Sequence, residues 1–538
     1  MTAPDLFEAA LITRSKSSLP VRFVPLLAGL IALTAYLLTL PPGLTWDLGG
    51  ADGGELATAV YTLGLVHSPG YPSYLLLAQI ARLLPFASFA QRLNAFSALC
   101  AAAAVLTLSA VLAGHLRTEP AETAGRPGGG AYLAGGLAGL LFGLCEVVWT
   151  QAIIVEVYAL AALFCAGLIG LALWTERAPA AGPYTRRLVL FGLIAGIGMG
   201  SHYMMVFAGM FAALYLLLSG PRRLLRASSL LAIPAFAAGL SVFAYLPLRA
   251  GAVPLSNWGN PDTLSRFWGE ISVAVYRGRV DITLIPERIL PLVRCVVDQL
   301  SVPGTALALL GLIGWRREHK PLLTAALVTA ALNLAFTASY YSVDTLPYIY
   351  PTLILLALAA GSAVYRLVCV WLPAEVHSGP ALRGLAYAAL TAAVCAPLLV
   401  RGVPIVSQAT IEADTTSRRM IELLPAGSLI ISNEDRLTFA LRYAAAVSVP
   451  RPDVVPIDAR LLKFEWFRQD IVRGWPHLGL STDEAAPDDF DAARLLALIP
   501  PDVPVFFTYP AEIAPGYRLD AIEGGLLYRV AERPDSGS

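Results

Sequence analysis

Long apolar stretches recur through the first 400 positions of this 538-residue chain, near 22–40, 93–113, 131–149, 152–174, 228–248, 321–340, 347–371 and 384–401. A hydrocarbon core about 30 Å thick is crossed by roughly 17–25 apolar residues in helical form. Inside it every backbone N–H and C=O must be satisfied within the segment itself, so such runs can only be helices. The run 303–315 is short and would be extended by its flanks. The stretch 188–219 is too long for one span and is interrupted at Gly198–His202, so it reads as two short spans meeting at a turn. The sum is eleven spans.

The scarcity of charge agrees. Positions 1–400 carry 42 Asp, Glu, Lys and Arg residues and positions 401–538 carry 34. Those densities are about 10% and about 25%, and only the second matches a soluble globular domain. A membrane domain over 1–400, mainly α, followed by a soluble α/β domain over 401–538 is the fold class expected. Net charge is zero, which disfavours nucleic acid as a partner. The six cysteines lack metal-ligand spacing, and residues 401–538 contain none, so neither a zinc site nor a disulfide framework is expected.

Loop charges orient the spans. Arg14, Lys16, Arg22; Arg117, Arg126; Arg177, Arg186, Arg187; Arg222, Arg223, Arg226; Arg316, Arg317, Lys320; and Arg383 fall on one side. Lys and Arg in short loops mark the cytoplasmic face. The N-terminus is then cytoplasmic, while 41–92, 249–302 and the tail are extracytoplasmic, in a multi-pass plasma-membrane protein. Residues 1–20 lack the layout of a cleaved signal, so the first run reads as a retained anchor. The segment 71–86 contains Arg82 and reads as a helix packed at the outer surface, because a span there would invert every later loop.

The first outer loop holds Asp47, Asp52 and Glu55 among glycines, then His67-Ser68-Pro69-Gly70-Tyr71-Pro72. Two readings stand side by side. A helix starting near Gly53 would have Asp52 as its cap and Glu55 at its third position, a plain capping box. Alternatively one carboxylate is a general base that takes a proton from an attacking hydroxyl. His67 is either an interfacial residue or a donor to phosphate. Glu156 and Tyr158, His202 and Tyr203, Arg249, and Asp344 fall at the same outer level. Ionisable groups at membrane depth cost a few kcal/mol and mark functional sites; agreement on one face outweighs any single position. A lipid-linked donor would suit such a site, with Arg249 and His202 meeting its phosphate.

The run DGGELATAVYTLGLVHSPGYPSYLLLAQIARLLPF followed by RLNAFSAL (92–99) resembles the first-loop signature of the membrane protein O-mannosyltransferase family, in the GT-C superfamily. WTQAIIVEVYAL (149–160), GSHY (200–203), YLPLRAGAVPLSNWGNPDTLSRFW (245–268), YYSVDTLPYIYP (340–351) and, in the tail, LPAGSLIISNEDRLTFALRY and RPDVVPID fit as well. The resemblance runs in order through about 400 of the 538 residues. It implies an inverting glycosyltransferase that moves a hexose, mannose or similar, from a polyprenyl-phosphate donor to a protein or envelope-glycan hydroxyl. Asp52 and Glu55 match the family's two first-loop acidic residues: Asp52 is assigned as base, Glu55 as its orienter or a sugar contact. His67, Tyr71, Glu156, Tyr158, His202, Tyr203, Arg249, Trp258, Asn260 and Asp344 are the candidates for donor phosphate or sugar. Ser68-Pro69 stands where the family has two prolines. No metal or cofactor is expected, because a departing phosphate monoester needs less neutralisation than a diphosphate. A transporter or lipid flippase, or a catalytically silent scaffold, are the competing classes; no internal repeat of the transporter kind is evident.

In the tail, strands are expected at 428–432, 453–457 and 504–509, helices at 436–447, 464–473 and 489–498, and a hairpin at 517–521 and 526–530. Asn433, Glu434 and Asp435 follow the first strand, either as a polar helix start or for acceptor recognition.

Overall fold

The computed structural model describes residues 19–85, 87–117, 129–252, 254–342, 344–368, 380–481, 490–511 and 516–532. Arg14, Lys16, Arg126 and the Arg383 side chain fall outside these residues. Each of the ten apolar runs corresponds to a helix or a broken helix, but fewer qualify as spans than the eleven expected. Among the described residues, eight helices are long and apolar enough to cross a membrane, or nine if the bent pair Gly129–Gly143 and Glu146–Ala152 is one span. The paired short spans are Ala181–Met199 and Met205–Ser219.

The helices sort by depth. Tyr350–Arg366 is wholly buried at the centre, whereas Val24–Leu38 presents Leu26, Leu27, Leu30, Ile31, Leu37 and Leu38 outward. Exposed apolar rows of this kind belong against lipid, not water. Lipid supplies little hydrophobic drive between helices, so small residues let the backbones approach. Gly135 and Gly139 of Gly129–Gly143 do this against Phe89–Arg117: a Cβ at Gly135 would lie 2.3 Å from the Ser109 carbonyl oxygen.

Three interruptions position the site. The bent pair turns by 73°, and residues 153–157 then bridge to Tyr158–Glu176 with Glu156 in the break. Ile285–Glu318 is continuous but kinks at Ser301 (φ 61°), two residues before Pro303. It begins well before the expected 303, so the helix reaches into what the sequence reads as the second outer loop. The segment 71–86 forms Pro72–Leu77 and a 3₁₀ stretch Ala78–Leu83, far too short to span.

The tail forms one five-stranded sheet: β1 Leu429–Ser432, β2 Val455–Asp458, β3 Val505–Phe507, β4 Arg518–Ile522 and β5 Leu527–Glu532. Its order is β2-β1-β3-β5-β4. β1 pairs in parallel with β2 and β3, and the β4–β5 hairpin closes the sheet antiparallel to β3. β1, β2 and β3 are buried along their whole length, as strands covered on both faces should be. The helix Asp435–Tyr443 leaves β1 and lies directly on Gly53–Thr62 of the first outer loop. A Cβ on Gly54 would meet the Phe439 carbonyl carbon at 2.5 Å, so the absent side chain is what lets these helices touch.

Candidate active site

Asp47–Asp52 is a short 3₁₀ segment twisted by Leu48 (φ 60°) and Gly49 (φ 82°). This left-handed turn delivers Asp52 to the start of Gly53–Thr62. The capping box does not form: Asp52 makes no side-chain cap hydrogen bond. Glu55 instead turns to the downstream histidine. Its Oε1 accepts the His67 backbone N–H at 3.0 Å, and its Oε2 lies 2.6 Å from His67 Nδ1. His67 Nε2 then faces Asp52 Oδ2 at 3.8 Å and the Tyr71 hydroxyl at 3.4 Å.

Glu55 is buried while Asp52 keeps 30% of its side chain exposed. Burial raises Glu55 above the ordinary carboxylate range. Burial alone would lower His67, but the charges of Glu55, Asp52 and Glu156 prevail and lift it to about 10. At neutral pH the pair is therefore an imidazolium held between carboxylates, with Asp52 the accessible one.

Asp52 and His67 open into a cavity of about 720 Å³. Tyr71, Glu156, Tyr158, His202, Tyr203, Trp258 and Asp344 line it too, so nine sequence-stated candidates converge from five separate stretches of chain. Tyr71 stacks on His202 (centroids 6.0 Å, planes 7° apart), and Tyr158 and Tyr348 close around the same imidazole at 5.2 and 4.9 Å. Burial and then Asp52 raise Glu156 and Asp344. From the tail, Asp435 and Phe439 complete the lining. Asp435, raised to about 6 chiefly by burial, pairs with Arg460 at 2.5 Å.

Other candidates lie elsewhere. Arg249 is outside the cavity, its Nε donating to the Leu63 carbonyl at 2.6 Å. Asn260 is buried in a loop, accepting from Asn257 and donating to Asp262. Glu55 sits behind His67 and does not line the cavity. Asp47, the alternative carboxylate, is bound by the Thr410 N–H and hydroxyl at 2.7 and 2.8 Å. His202 does line the cavity but cannot supply charge. Burial, followed by His67, holds it down to about 3, and its Nδ1 accepts the Met204 N–H at 3.1 Å. It is a neutral donor through Nε2.

The cations of the cavity besides His67 are Arg277 and Arg279, which the sequence reading did not single out. Among the described residues neither is in an ion pair. Arg277 donates to Ser272 Oγ at 3.2 Å and Arg279 to Ser342 Oγ at 3.4 Å. They end the 3₁₀ turn Ala274–Arg279, whose exit is fixed by the Tyr341 N–H donating to the Arg279 carbonyl at 2.7 Å and the Asp281 N–H to the Ser339 carbonyl at 2.8 Å. Beside them Val206, Phe207, Val280 and Phe336 make an apolar wall, and Val206 is 53% exposed. The cavity thus joins an acidic, aromatic chamber, two guanidinium groups without contact ion pairs and an apolar wall.

Residues 52–224 match the model of the Protein O-mannosyl-transferase TMEM260 N-terminal domain. The chain is 27% identical over 488 residues to the mouse (Mus musculus) Protein O-mannosyl-transferase TMEM260, covering 84% of this chain and 65% of that protein. Among solved structures it resembles ArnT from Cupriavidus metallidurans bound to undecaprenyl phosphate, with a TM-score of 0.57 and 13% identity over 94% of this chain and 97% of the other. It also resembles the Archaeoglobus fulgidus oligosaccharyltransferase, with a TM-score of 0.50 and 14% identity over 90% of this chain and 67% of that one. At such identities the structural matches speak for the fold, which is of the GT-C type.

Proposed function

We propose that this chain, whose residues 52–224 match the TMEM260 protein O-mannosyl-transferase N-terminal domain, is a member of that family and an inverting glycosyltransferase. In this reading it takes a hexose, mannose by the family's name, from a polyprenyl-phosphate donor and transfers it to a hydroxyl of a protein or envelope glycan. The reaction lies on the extracytoplasmic side, with the N-terminus cytoplasmic and the tail outside, as the loop charges suggest. One observation carries the proposal: a partly exposed carboxylate, Asp52, the guanidinium groups of Arg277 and Arg279, and an apolar wall that includes the exposed Val206 share one cavity.

The chemistry follows from those groups. The polyprenyl tail stays among lipid at the Val206–Phe336 side while its phosphate meets Arg277 and Arg279. Guanidinium forks suit phosphate oxygens, and charge that develops on the leaving oxygen is best met by donors already in place. The sugar occupies the chamber of Tyr71, Tyr158 and His202. An acceptor hydroxyl enters beside Asp52, which takes its proton as the oxygen attacks the anomeric carbon. The carbon–phosphate-oxygen bond breaks on the opposite face, releasing polyprenyl phosphate and an inverted glycosidic link. The His67 imidazolium, held by Glu55, orients the Asp52 carboxylate. A monoester leaving group facing two guanidinium groups needs no metal ion in this scheme.

A transporter would need the chamber to open to both sides, and nothing in the geometry favours that reading over transfer. The test is Asp52→Asn in the purified protein, supplied with labelled polyprenyl-phosphate mannose and an acceptor peptide. Transfer should fall by at least 10²–10⁴-fold, the usual contribution of a general base, with donor binding retained. Turnover near the unmodified rate would reject Asp52 as base.

A further inference from the structure

A second cavity of about 230 Å³ lies at the seam between the second outer loop and the tail domain. The loop contributes Asn257 and Trp258; the tail contributes Arg442, Trp466, Asp470 and Trp475. None of the four tail residues enters the transfer scheme above.

The lining is chemically incomplete. Arg442 is only 8% exposed, yet its one hydrogen bond to protein is a long one, from Nε to the Pro456 carbonyl at 3.5 Å. Its guanidinium lies 5.4 Å from the centre of the Phe467 ring and feels the charges of Glu55, Asp458 and Asp470, but among the described residues none of these carboxylates forms a contact ion pair with it. A buried guanidinium held only at a distance is costly and favours a polar ligand beside it. Asn257, 4% exposed, donates through Nδ2 to Asp470 Oδ1 at 2.9 Å and Asn260 Oδ1 at 3.1 Å. Its own Oδ1 is buried with no hydrogen-bond partner, another unmet demand. Around these polar groups stand indole faces: Trp258 and Trp466 lie 5.6 Å apart with their planes inclined at 45°, and Trp475 closes the wall.

A vacant amide acceptor, a guanidinium without a contact ion pair and a carboxylate, all within a corner of indoles, suit a small ligand with both kinds of surface. A pyranose ring has them. One face is a patch of C–H groups that packs on an aromatic plane, and its rim carries hydroxyls that donate and accept at once. A peptide would offer alternating amides but no such ring face. We propose that this cavity is a pyranose-binding site. Its place in the reaction follows from Trp258, which lines both cavities and stands 6.2 Å from His67. A sugar held on one side of that indole lies next to the chamber on the other, so the site takes a pyranose carried by the acceptor. Only this last assignment, to the acceptor, rests on the transfer reading.

The experiment uses the full-length protein in nanodiscs and ligand-observed saturation-transfer NMR with methyl α-D-mannoside, -glucoside and -galactoside. At least one glycoside should bind saturably. Its affinity should fall tenfold or more in Trp466→Ala and in Asp470→Asn, and stay unchanged in Asp52→Asn. Asp470→Asn keeps the side-chain shape, and a thermal melt matching the unmodified protein confirms that it is folded. No saturable binding by any glycoside, binding lost in Asp52→Asn instead, or binding of a Ser/Thr peptide with none of the sugars would overturn the proposal. If glycoside binding persists while donor-dependent transfer is absent, the transfer reading fails and this site stands.

Discussion

Replacing Glu55 by Gln isolates the electrostatic hinge of the site. In the unmodified protein His67 rises from 6.5 to about 10, a net stabilisation of its charged form by about 5 kcal/mol. The carboxylates responsible can be ranked by distance. At an effective dielectric of 20, the 2.6 Å contact to Glu55 corresponds to about 6 kcal/mol and the 3.8 Å contact to Asp52 to about 4 kcal/mol. Burial therefore offsets roughly 5 kcal/mol of the combined attraction. Glu55→Gln removes the larger contribution and leaves about 4 kcal/mol against that offset, so the imidazole becomes neutral near pH 7. The sign follows from linkage. A group whose folded pKa exceeds its unfolded one stabilises fully below the unfolded value, and that stability is lost as pH rises through the folded value. The unmodified protein should therefore lose thermal stability between pH 6.5 and 10, whereas Glu55→Gln, less stable at pH 6.5, should be nearly flat over that range. Thermal unfolding of detergent-purified protein at half-unit pH steps reads both curves. Parallel slopes for the two proteins, or a flat curve for the unmodified one, would refute the imidazolium assignment.

The other expectations concern the donor and the domain seam. Arg277→Ala and Arg279→Ala should each raise the donor KM about 10-fold or more, since a charged hydrogen bond contributes roughly 1.5–3 kcal/mol. Arg249→Ala, whose guanidinium serves the Leu63 carbonyl, should leave that KM unchanged; steady-state kinetics with varied donor decides. Gly54→Ala should push the Asp435–Tyr443 helix off the first loop, because the new methyl would lie 2.5 Å from the Phe439 carbonyl carbon. Limited proteolysis should then cut the tail free sooner, while Gly167→Ala, with open space around its Cβ position, should change nothing. Thr410→Val should remove the hydroxyl contact to Asp47, leaving the backbone one, and lower the melting temperature without altering donor KM.

Much of the architecture was legible because the membrane leaves the chain few choices. Apolar runs must be helices there, so the breaks between runs carry the information. Gly198–His202 marked the turn between Ala181–Met199 and Met205–Ser219. The tail strands were equally plain, since SLIIS, DVVPI and PVFFTY are short apolar runs bounded by turn residues. What the sequence hid was non-local. Nothing in the spacing of Glu55 and His67 shows that they meet, because local capping competes for the same carboxylate. Asp52 occupies the cap position but in a helical backbone conformation (φ −86°, ψ −7°), not the extended one that aims a capping side chain at the first free N–H groups. The seam between tail and loop was likewise unreadable, being made by residues such as Gly54 and Phe439 that lie 385 positions apart.

The guanidinium groups show where a stricter use of the charge pattern would have reached further. Arg249 was singled out because it ends a span, yet an arginine there reaches the nearest unpaired carbonyl, and Leu63 supplies it. Arg266, Arg277 and Arg279 follow in the same outer loop, on the face where the orientation rule leaves cations scarce. An excess of arginine against that rule needs a local reason. Arg266 has one in Asp262, four residues back on the same turn. Arg277 and Arg279, among the described residues, form no contact ion pair, although Asp344 feels the charge of Arg279 across the cavity that both line. Cations that neither set topology nor pair with an acid are the ones left for an anionic ligand. In the tail, Arg442 is likewise buried at the edge of the second cavity and among the described residues forms no contact ion pair. In a chain this poor in charge, cavity-lining arginines without a contact ion pair mark both places where a substrate group is expected.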